Sequence, residues 1–483
     1  MNEPHPLSQP APWSLFQGGR WELIGLGATL LLAAVLRFGG IGAQSLWHDE
    51  ALTARSAQVP FAQVIATVRA KENTPPLYFI FVNAWEKLFG ASERSLRTPS
   101  ALVGVVTVAL LFLLGRELFG SRVGLTAAAL LALAPFHIAY SQEARVYALL
   151  LLLLLVCVWA VARLLRGGSP AAQAVYVIAA TLAMYAHTFA VFALLGMNLL
   201  FAWRWLRGGQ TGVPLVRWLA LNAAIVVLFG PWIPATREVA QMGLPWLTRP
   251  TPFHEAIASY SGGVVAGITV GMLCGIALWI GWRRGDDRVL LLALLVIVPT
   301  VGPWLYGPFT VRYGIVAMLG LTLLCAYAAD AMGRAASAGL VVLAAIGWAG
   351  SSDLGHLRYP DFTHKPDVRA ASWFLQTEAR AGDGLYTALT PLLGPVFDYY
   401  LEEDAPKRIA DFVSPEAQPT TRLFVTAPTA ETDLPASAYT IVSRHRFDGV
   451  ILFELRHSKA VEPTHTPGVP SPPEPAPEPA PRL

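Results

Sequence analysis

The chain alternates long apolar runs with short polar ones. Leu23 to Leu36, Leu149 to Val161 and Val289 to Val298 carry almost no polar residue, and each approaches or extends into the roughly 20-residue window a helix needs to cross a ~30 Å hydrocarbon core. Extended along the sequence, the pattern predicts helical spans near 22–38, 99–115, 123–140, 146–165, 172–187, 189–206, 215–232, 261–282, 288–306, 312–330 and 334–350, about eleven crossings. The arginines set their direction. Arg116/Arg122, Arg163/Arg166, Arg204/Arg207/Arg217, Arg283/Arg284/Arg288 and Arg334 fall in alternate short loops, as a positive-inside bias requires when the N-terminus is cytoplasmic.

The segment Pro76 to Phe89 is apolar but short, and it carries Asn83, Glu86 and Lys87. Counting it as a crossing would move every later arginine-rich loop outside. It therefore reads as an interfacial helix on the outer surface, with Tyr78 and Trp85 at headgroup depth, the alternative being a short tilted span. An odd number of crossings exports everything after residue 350. There the pattern changes to a helical stretch over Pro366 to Arg380 and strand-like runs at Leu385 to Ala388, Arg422 to Val425, Tyr439 to Ser443 and Gly449 to Leu455. The expected organisation is a membrane module over 1–350 with a long first outer loop at 39–98, a small extracytoplasmic α/β domain over 351–460, and a Pro-rich disordered tail over 461–483. The fold class is mainly α, a polytopic helical membrane protein.

Composition agrees with the bilayer as part of the solvent: of 483 residues, 54% are hydrophobic and 14% charged, with a mean hydropathy of +0.49. A net charge of +3 gives no global basic field for nucleic acid. Cys157, Cys274 and Cys325 all lie in apolar runs and read as small core residues. The first span has no small-residue cleavage site, so it is expected to be an uncleaved anchor in a bacterial cytoplasmic (inner) membrane protein.

Candidate chemistry gathers in the outer loops. Asp49 and Glu50 are adjacent acids just past the first span, beside Trp47; they are either a helix start or a functional pair. The second outer turn places Glu143 and Arg145 between two apolar helices, where they either neutralise each other or receive an anionic ligand, for which the guanidinium fork suits phosphate. His187 ends the fifth span, Arg312-Tyr313 opens the tenth, and Arg37 stands near the outer end of the first. Each of these is a ligand contact or an interfacial residue. The chain contains no phosphate-binding glycine loop with a following lysine, no Cys-x-x-Cys and no His-Glu-x-x-His.

In order along the chain, Leu46-Trp-His-Asp-Glu50, Asn73-Thr-Pro-Pro-Leu-Tyr78, Glu93-Arg-Ser-Leu-Arg-Thr-Pro-Ser100, Ser141-Gln-Glu-Ala-Arg-Val-Tyr147 and Val311-Arg-Tyr313 resemble the GT-C superfamily of polytopic glycosyltransferases. The resemblance is greatest to bacterial relatives of protein O-mannosyltransferases and aminoarabinose transferases, and it covers about the first 330 residues. It implies a polyprenyl-phosphate sugar donor in the outer leaflet, inversion at the anomeric carbon, and an acceptor hydroxyl on a protein, lipid or glycan. Asp49 matches the acidic position used as general base or acceptor-positioning group, and Glu143 and Arg145 match the second outer-loop motif near the donor head. Asn73-Thr74 departs from the basic or histidine-containing versions of its segment. The site expected from residues and resemblance together is Asp49 as catalytic base, with Glu50, Asn73, Glu143, Arg145, Tyr147, His187, Arg312 and Tyr313 on the substrate. No cofactor is required; a divalent cation would have Asp49, Glu50 and Glu143 as ligands. The alternatives are a transporter or flippase for a lipid-linked saccharide and a sensory protein acting through its outer domain.

Overall fold

The computed structural model describes residues 19–208, 212–242, 259–260, 264–306, 310–350, 365–380, 383–387, 389–390, 392–401, 422–427 and 439–457. The Pro-rich tail lies outside the described residues. The chain forms two compact units, Met1–Trp373 with Leu392–Glu402, and Phe374–Pro391 with Glu403–Leu483. The short helix Gly394–Tyr400 belongs to the helical unit.

The helical unit opens with α1 (Arg20–Phe38), followed by α2 (His48–Ala57), α3 (Val64–Lys71) and α4 (Leu77–Phe89), then α5 (Glu93–Phe119), α6 (Ser121–Leu133), α7 (Pro135–Ser141) and α8 (Tyr147–Leu164). Next come α9 (Pro170–Ala186), α10 (Ala190–Leu206), α11 (Leu215–Phe229) and α12 (Ile233–Met242). Further apolar helices occupy Val264–Arg284, Asp287–Tyr306, Ala317–Met332 and Arg334–Gly350. Among the described residues six helices are long and apolar enough to cross a membrane, or seven if the bent pair α6 and α7 is one span. Four shorter apolar helices, Pro170–Ala186, Ala190–Leu206, Ala317–Met332 and Arg334–Gly347, stand where the sequence places the remaining spans. The protein is a multi-pass membrane protein.

The break between α6 and α7 bends the pair by 64° and has a local cause. Pro135 has no N–H to give to the carbonyl of Leu131, one turn back. That oxygen accepts instead from Arg37 Nη2 at 3.0 Å, and Ala132 O accepts from Arg37 Nη1 at 3.1 Å. Arg37 Nη2 also lies 2.6 Å from His137 Nδ1. Arg37 is fully buried, so it is neither a headgroup anchor nor a ligand contact: it caps a broken helix inside the protein. Gly104 makes room for this arrangement, since a Cβ there would meet Ser141 Oγ at 2.3 Å and Arg37 Nε at 3.1 Å.

α4 packs one face on the unit and leaves Phe81, Leu88 and Phe89 exposed. Asn83 is buried and donates to the carbonyls of Ala57 and Val59, which ties α4 to the end of α2. Tyr78 departs from its expected place: it is 2% exposed, and its hydroxyl shares a 2.8 Å hydrogen bond with Ser100 Oγ. Its position at the start of α4 turns it toward α5 rather than toward headgroups.

The second unit is built on a four-stranded sheet in the order β1-β2-β4-β3. β1 (Gly384–Tyr386) runs parallel to β2 (Arg422–Ala427), while β4 (Val450–His457) is antiparallel to both β2 and β3 (Tyr439–Phe447). Period-two alternation puts Leu423, Val425 and Ala427 with Phe453 and Leu455 into one core. Arg422 Nε closes on Glu454 Oε1 at 2.7 Å.

Candidate active site

α2 begins at His48, so Asp49 and Glu50 fall in its first turn. There carboxylates are favoured by the unpaired N–H groups and the helix dipole. Both acids open the helix, and they part company in what they face.

Glu50 is fully buried. Its Oε1 accepts from Arg97 Nε at 2.7 Å and from the Ala144 amide at 2.9 Å; its Oε2 accepts from Arg97 Nη2 and Lys365 Nζ, both at 2.8 Å. Arg97 spends its remaining donors on the carbonyls of Ile41, Gln44 and Ser45. Burial would drive Glu50 neutral, but Arg97 and Lys365 outweigh it and hold the carboxyl far below its usual range. Glu50 thus joins α2, the start of α5, the turn between α7 and α8 and the segment before Val368. Through Arg97, Lys365 and the Ala144 amide it ties the segment that carries Asp49 to the one that carries Arg145.

Asp49 faces the other way. Its Oδ2 accepts from Arg312 Nη1 at 2.8 Å and lies 3.8 Å from Arg145 Nη2. Arg145 Nη1 also reaches Asp49 O at 3.2 Å and Thr53 Oγ1 at 3.0 Å. Burial raises the Asp49 pKa, yet Arg145, Arg312 and His48 together bring it below the ordinary aspartate value. The two sequence stretches near 49 and 143, 94 residues apart at the Glu50–Ala144 contact, are brought to one place. Arg145 Nε and Arg312 Nε are buried without a hydrogen-bond partner among the described residues. Two guanidinium groups with unused donors therefore flank one carboxylate.

An aromatic wall continues from this centre. The His187 ring lies 5.9 Å from Tyr147, 5.2 Å from Tyr313 and 5.5 Å from Phe189, and Tyr313 stacks on Phe189 at 4.4 Å. Burial and the charges of Arg145 and Arg312 bring the His187 pKa down to about 3, so it is neutral. Its Nδ1 accepts from the Phe189 amide at 3.2 Å, which leaves the remaining proton on Nε2. Arg312 sits over the Trp47 ring at 5.7 Å, and Tyr260 donates to Val311 O at 2.9 Å, fixing the turn that carries it. Glu143 is buried, and its charge acts to raise the Lys365 pKa. Asn73 is exposed, and no side-chain hydrogen bond joins it to the cluster among the described residues. Among those residues no group of three or more His, Cys, Asp or Glu side chains is placed to hold a metal ion.

Arg97, Lys365, Thr53 and Glu72 belong to this region without having been assigned a role from sequence. Arg97 had a readable signal, a charge near the start of a long apolar helix that must find a partner. Lys365, more than 300 residues from Glu50, had none.

The comparisons agree with this architecture. A family model described as dolichyl-phosphate-mannose-protein mannosyltransferase matches residues 73–233, which include Arg145, Tyr147 and His187. The crystal structure of ArnT from Cupriavidus metallidurans in the apo state superposes with a TM-score of 0.61 at 14% identity, covering 90% of this chain and 97% of that one. At this identity the likeness is one of fold: the chain has an ArnT-like GT-C fold. The same ArnT bound to undecaprenyl phosphate gives a TM-score of 0.58 at 14% identity over 90% of this chain and 98% of that one. The Archaeoglobus fulgidus oligosaccharyltransferase with zinc and sulfate gives a TM-score of 0.52 at 12% identity, covering 83% of this chain and 67% of that one. No curated protein matches by sequence. Within the GT-C frame, Asp49 and Arg312 lie outside the family-model match, and only folding joins them to Arg145.

Proposed function

We propose that this protein is a glycosyltransferase that moves a sugar from a polyprenyl-phosphate donor to an acceptor hydroxyl on the outer face of a bacterial cytoplasmic membrane. One observation carries the reading: Arg145 and Arg312 converge on Asp49 with buried donors left over, an arrangement suited to a phosphate head entering from the bilayer. The related ArnT fold was solved with undecaprenyl phosphate, and the family model that matches residues 73–233 is described as dolichyl-phosphate-mannose-protein mannosyltransferase.

In the proposed reaction the acceptor oxygen attacks C1 as polyprenyl phosphate departs, with inversion. The leaving group is a phosphate monoester and needs little protonation, so the main task is to stabilise developing negative charge. Arg145 and Arg312 do this. When they turn onto the phosphate, Asp49 loses the partners that hold it ionised and becomes a better base for the acceptor proton. Tyr147, His187 and Tyr313 wall the sugar, with neutral His187 offering Nε2–H as a donor. No cofactor enters the scheme. The eleven-crossing topology, with the N-terminus inside and the sheet unit outside, belongs to the same proposal.

The test is incubation of the purified protein in proteoliposomes with a panel of radiolabelled polyprenyl-phosphate sugars. Donor-dependent transfer or release that disappears in Asp49→Asn supports the reading. Movement of intact donor across the bilayer without any product would instead support a flippase.

A further inference from the structure

Several hydroxyls on the helices of this chain follow one habit. Thr98, Thr107, Ser141 and Thr322 each donate to the carbonyl four residues back, at 2.7 to 2.8 Å. Ser100, in the second turn of α5, departs from it. Its Oγ donates instead to Arg145 O at 3.1 Å, 45 residues away, and lies 2.8 Å from the Tyr78 hydroxyl. A serine hydroxyl has one hydrogen to give, so Tyr78 is the donor in that second contact. The chain of bonds therefore runs from Tyr78 through Ser100 to the Arg145 carbonyl, and both hydroxyl residues are buried.

The carbonyl at its end needs such a partner. Arg145 stands two residues ahead of α8, and the backbone bond that opens this helix runs from Leu150 N to Val146 O at 2.9 Å. The Arg145 oxygen thus lies outside the helix ladder. On the other side of the Arg145 Cα, the Ala144 amide donates to Glu50 Oε1 at 2.9 Å. The backbone is pinned at the amide before Arg145 and at its own carbonyl, and the guanidinium then reaches Asp49 O and Thr53 Oγ1. The turn that carries Arg312 is held in the same manner, by Tyr260 on Val311 O.

We infer that Tyr78 and Ser100 are positioning residues for Arg145, fixing the place from which its guanidinium meets the donor phosphate. The inference rests on the glycosyl-transfer reading, in which Arg145 holds that phosphate. Both hydroxyls act through Arg145. A guanidinium fork binds phosphate well only when its donors are aimed together, so a shift of the Arg145 backbone is read as lost affinity. The relay also ties α4, which Tyr78 helps to open and which exposes Phe81, Leu88 and Phe89, to the phosphate-binding arginine.

The experiment titrates undecaprenyl phosphate into full-length protein in nanodiscs and runs a double-mutant cycle. Ser100→Ala is expected to weaken binding by about 10-fold and Tyr78→Phe, which keeps the ring, by about 5-fold. A residue that acts through Arg145 has nothing left to act on once that side chain is gone. In an Arg145→Ala background each substitution should therefore change binding by less than about twofold. In an Arg312→Ala background each should keep its full effect, which a general loosening of the fold would not separate from the first case. Single variants that bind within about twofold of wild type overturn the inference, and so do losses that multiply in full onto Arg145→Ala; in both cases the phosphate reading of the site stands. If Ser100→Ala does not fold, Tyr78→Phe carries the cycle alone. Absence of undecaprenyl phosphate binding by the wild type overturns the phosphate reading itself, and this inference with it.

Discussion

Asp49→Asn should tighten the binding of undecaprenyl phosphate while abolishing transfer. Arg312 donates to Asp49 Oδ2 at 2.8 Å, and Arg145 stands 3.8 Å from the same oxygen. A phosphate arriving between the two arginines must draw them from this carboxylate. A charge-assisted hydrogen bond contributes about 1.5–3 kcal/mol, and the substitution removes the need to break it. It also removes repulsion between carboxylate and phosphate, about 3 kcal/mol for two unit charges near 5 Å at an effective dielectric of about 20. Asp49 and Arg312 each retain roughly a fifth of their side-chain surface in contact with solvent, which screens both terms, so about 1–2 kcal/mol of the combined effect is expected to survive. That corresponds to about 5- to 30-fold tighter binding. The assay is titration of undecaprenyl phosphate into protein in nanodiscs, read through tryptophan fluorescence, with Trp47→Phe to isolate the indole beside Arg312. Unchanged or weaker binding in Asp49→Asn would refute the reasoning, because Asp49 would then orient the arginines for the phosphate rather than compete with it.

Arg312→Ala should weaken the same binding by about 10- to 100-fold, the loss of one charge-assisted contact, with little effect on thermal stability. Glu50→Gln should destabilise the protein by about 3–5 kcal/mol, because Arg97 and Lys365 remain buried without their counter-charge; thermal unfolding in nanodiscs checks this, with Lys365→Met giving partial recovery in the double variant. Glu50 is held below its unfolded value of 4.5, so its contribution is fully present above that pH and is lost as pH falls toward its native value; the acid side of the stability profile should flatten in Glu50→Gln. His187, neutral above about pH 3, should add no limb near pH 6.5 to the rate profile, and an NMR titration of labelled His187 should show no protonation from pH 5 to 8.

Much of the fold is legible in the pattern of the chain, for a physical reason. In a bilayer each crossing must satisfy its own backbone, so apolar length marks a helix. The loop arginines then fix which ends lie together, and that alone predicts that Asp49 and Arg145 share a face. The four strands were readable from β-branched and aromatic runs, and their pairing order was not, since β4 rather than β3 lies beside β2. The site was legible where a charge interrupts an apolar context, as at Arg145 and Arg312. It was obscure where a charge serves another charge. Nothing local separates Asp49, which faces two arginines with spare donors, from Glu50, one residue on, whose oxygens are taken by Arg97, Lys365 and Ala144. Arg37 shows the same limit: its partners are carbonyls freed by Pro135, about a hundred residues away.

The central claim is that Arg145 and Arg312 hold the phosphate of a lipid-linked sugar beside Asp49. It is tested most directly by an experimental structure of the protein with undecaprenyl phosphate in nanodiscs. The account predicts phosphate oxygens within about 3 Å of both guanidinium groups, with Arg312 drawn away from Asp49. A phosphate bound elsewhere, with the Asp49–Arg312 pair intact, would contradict it.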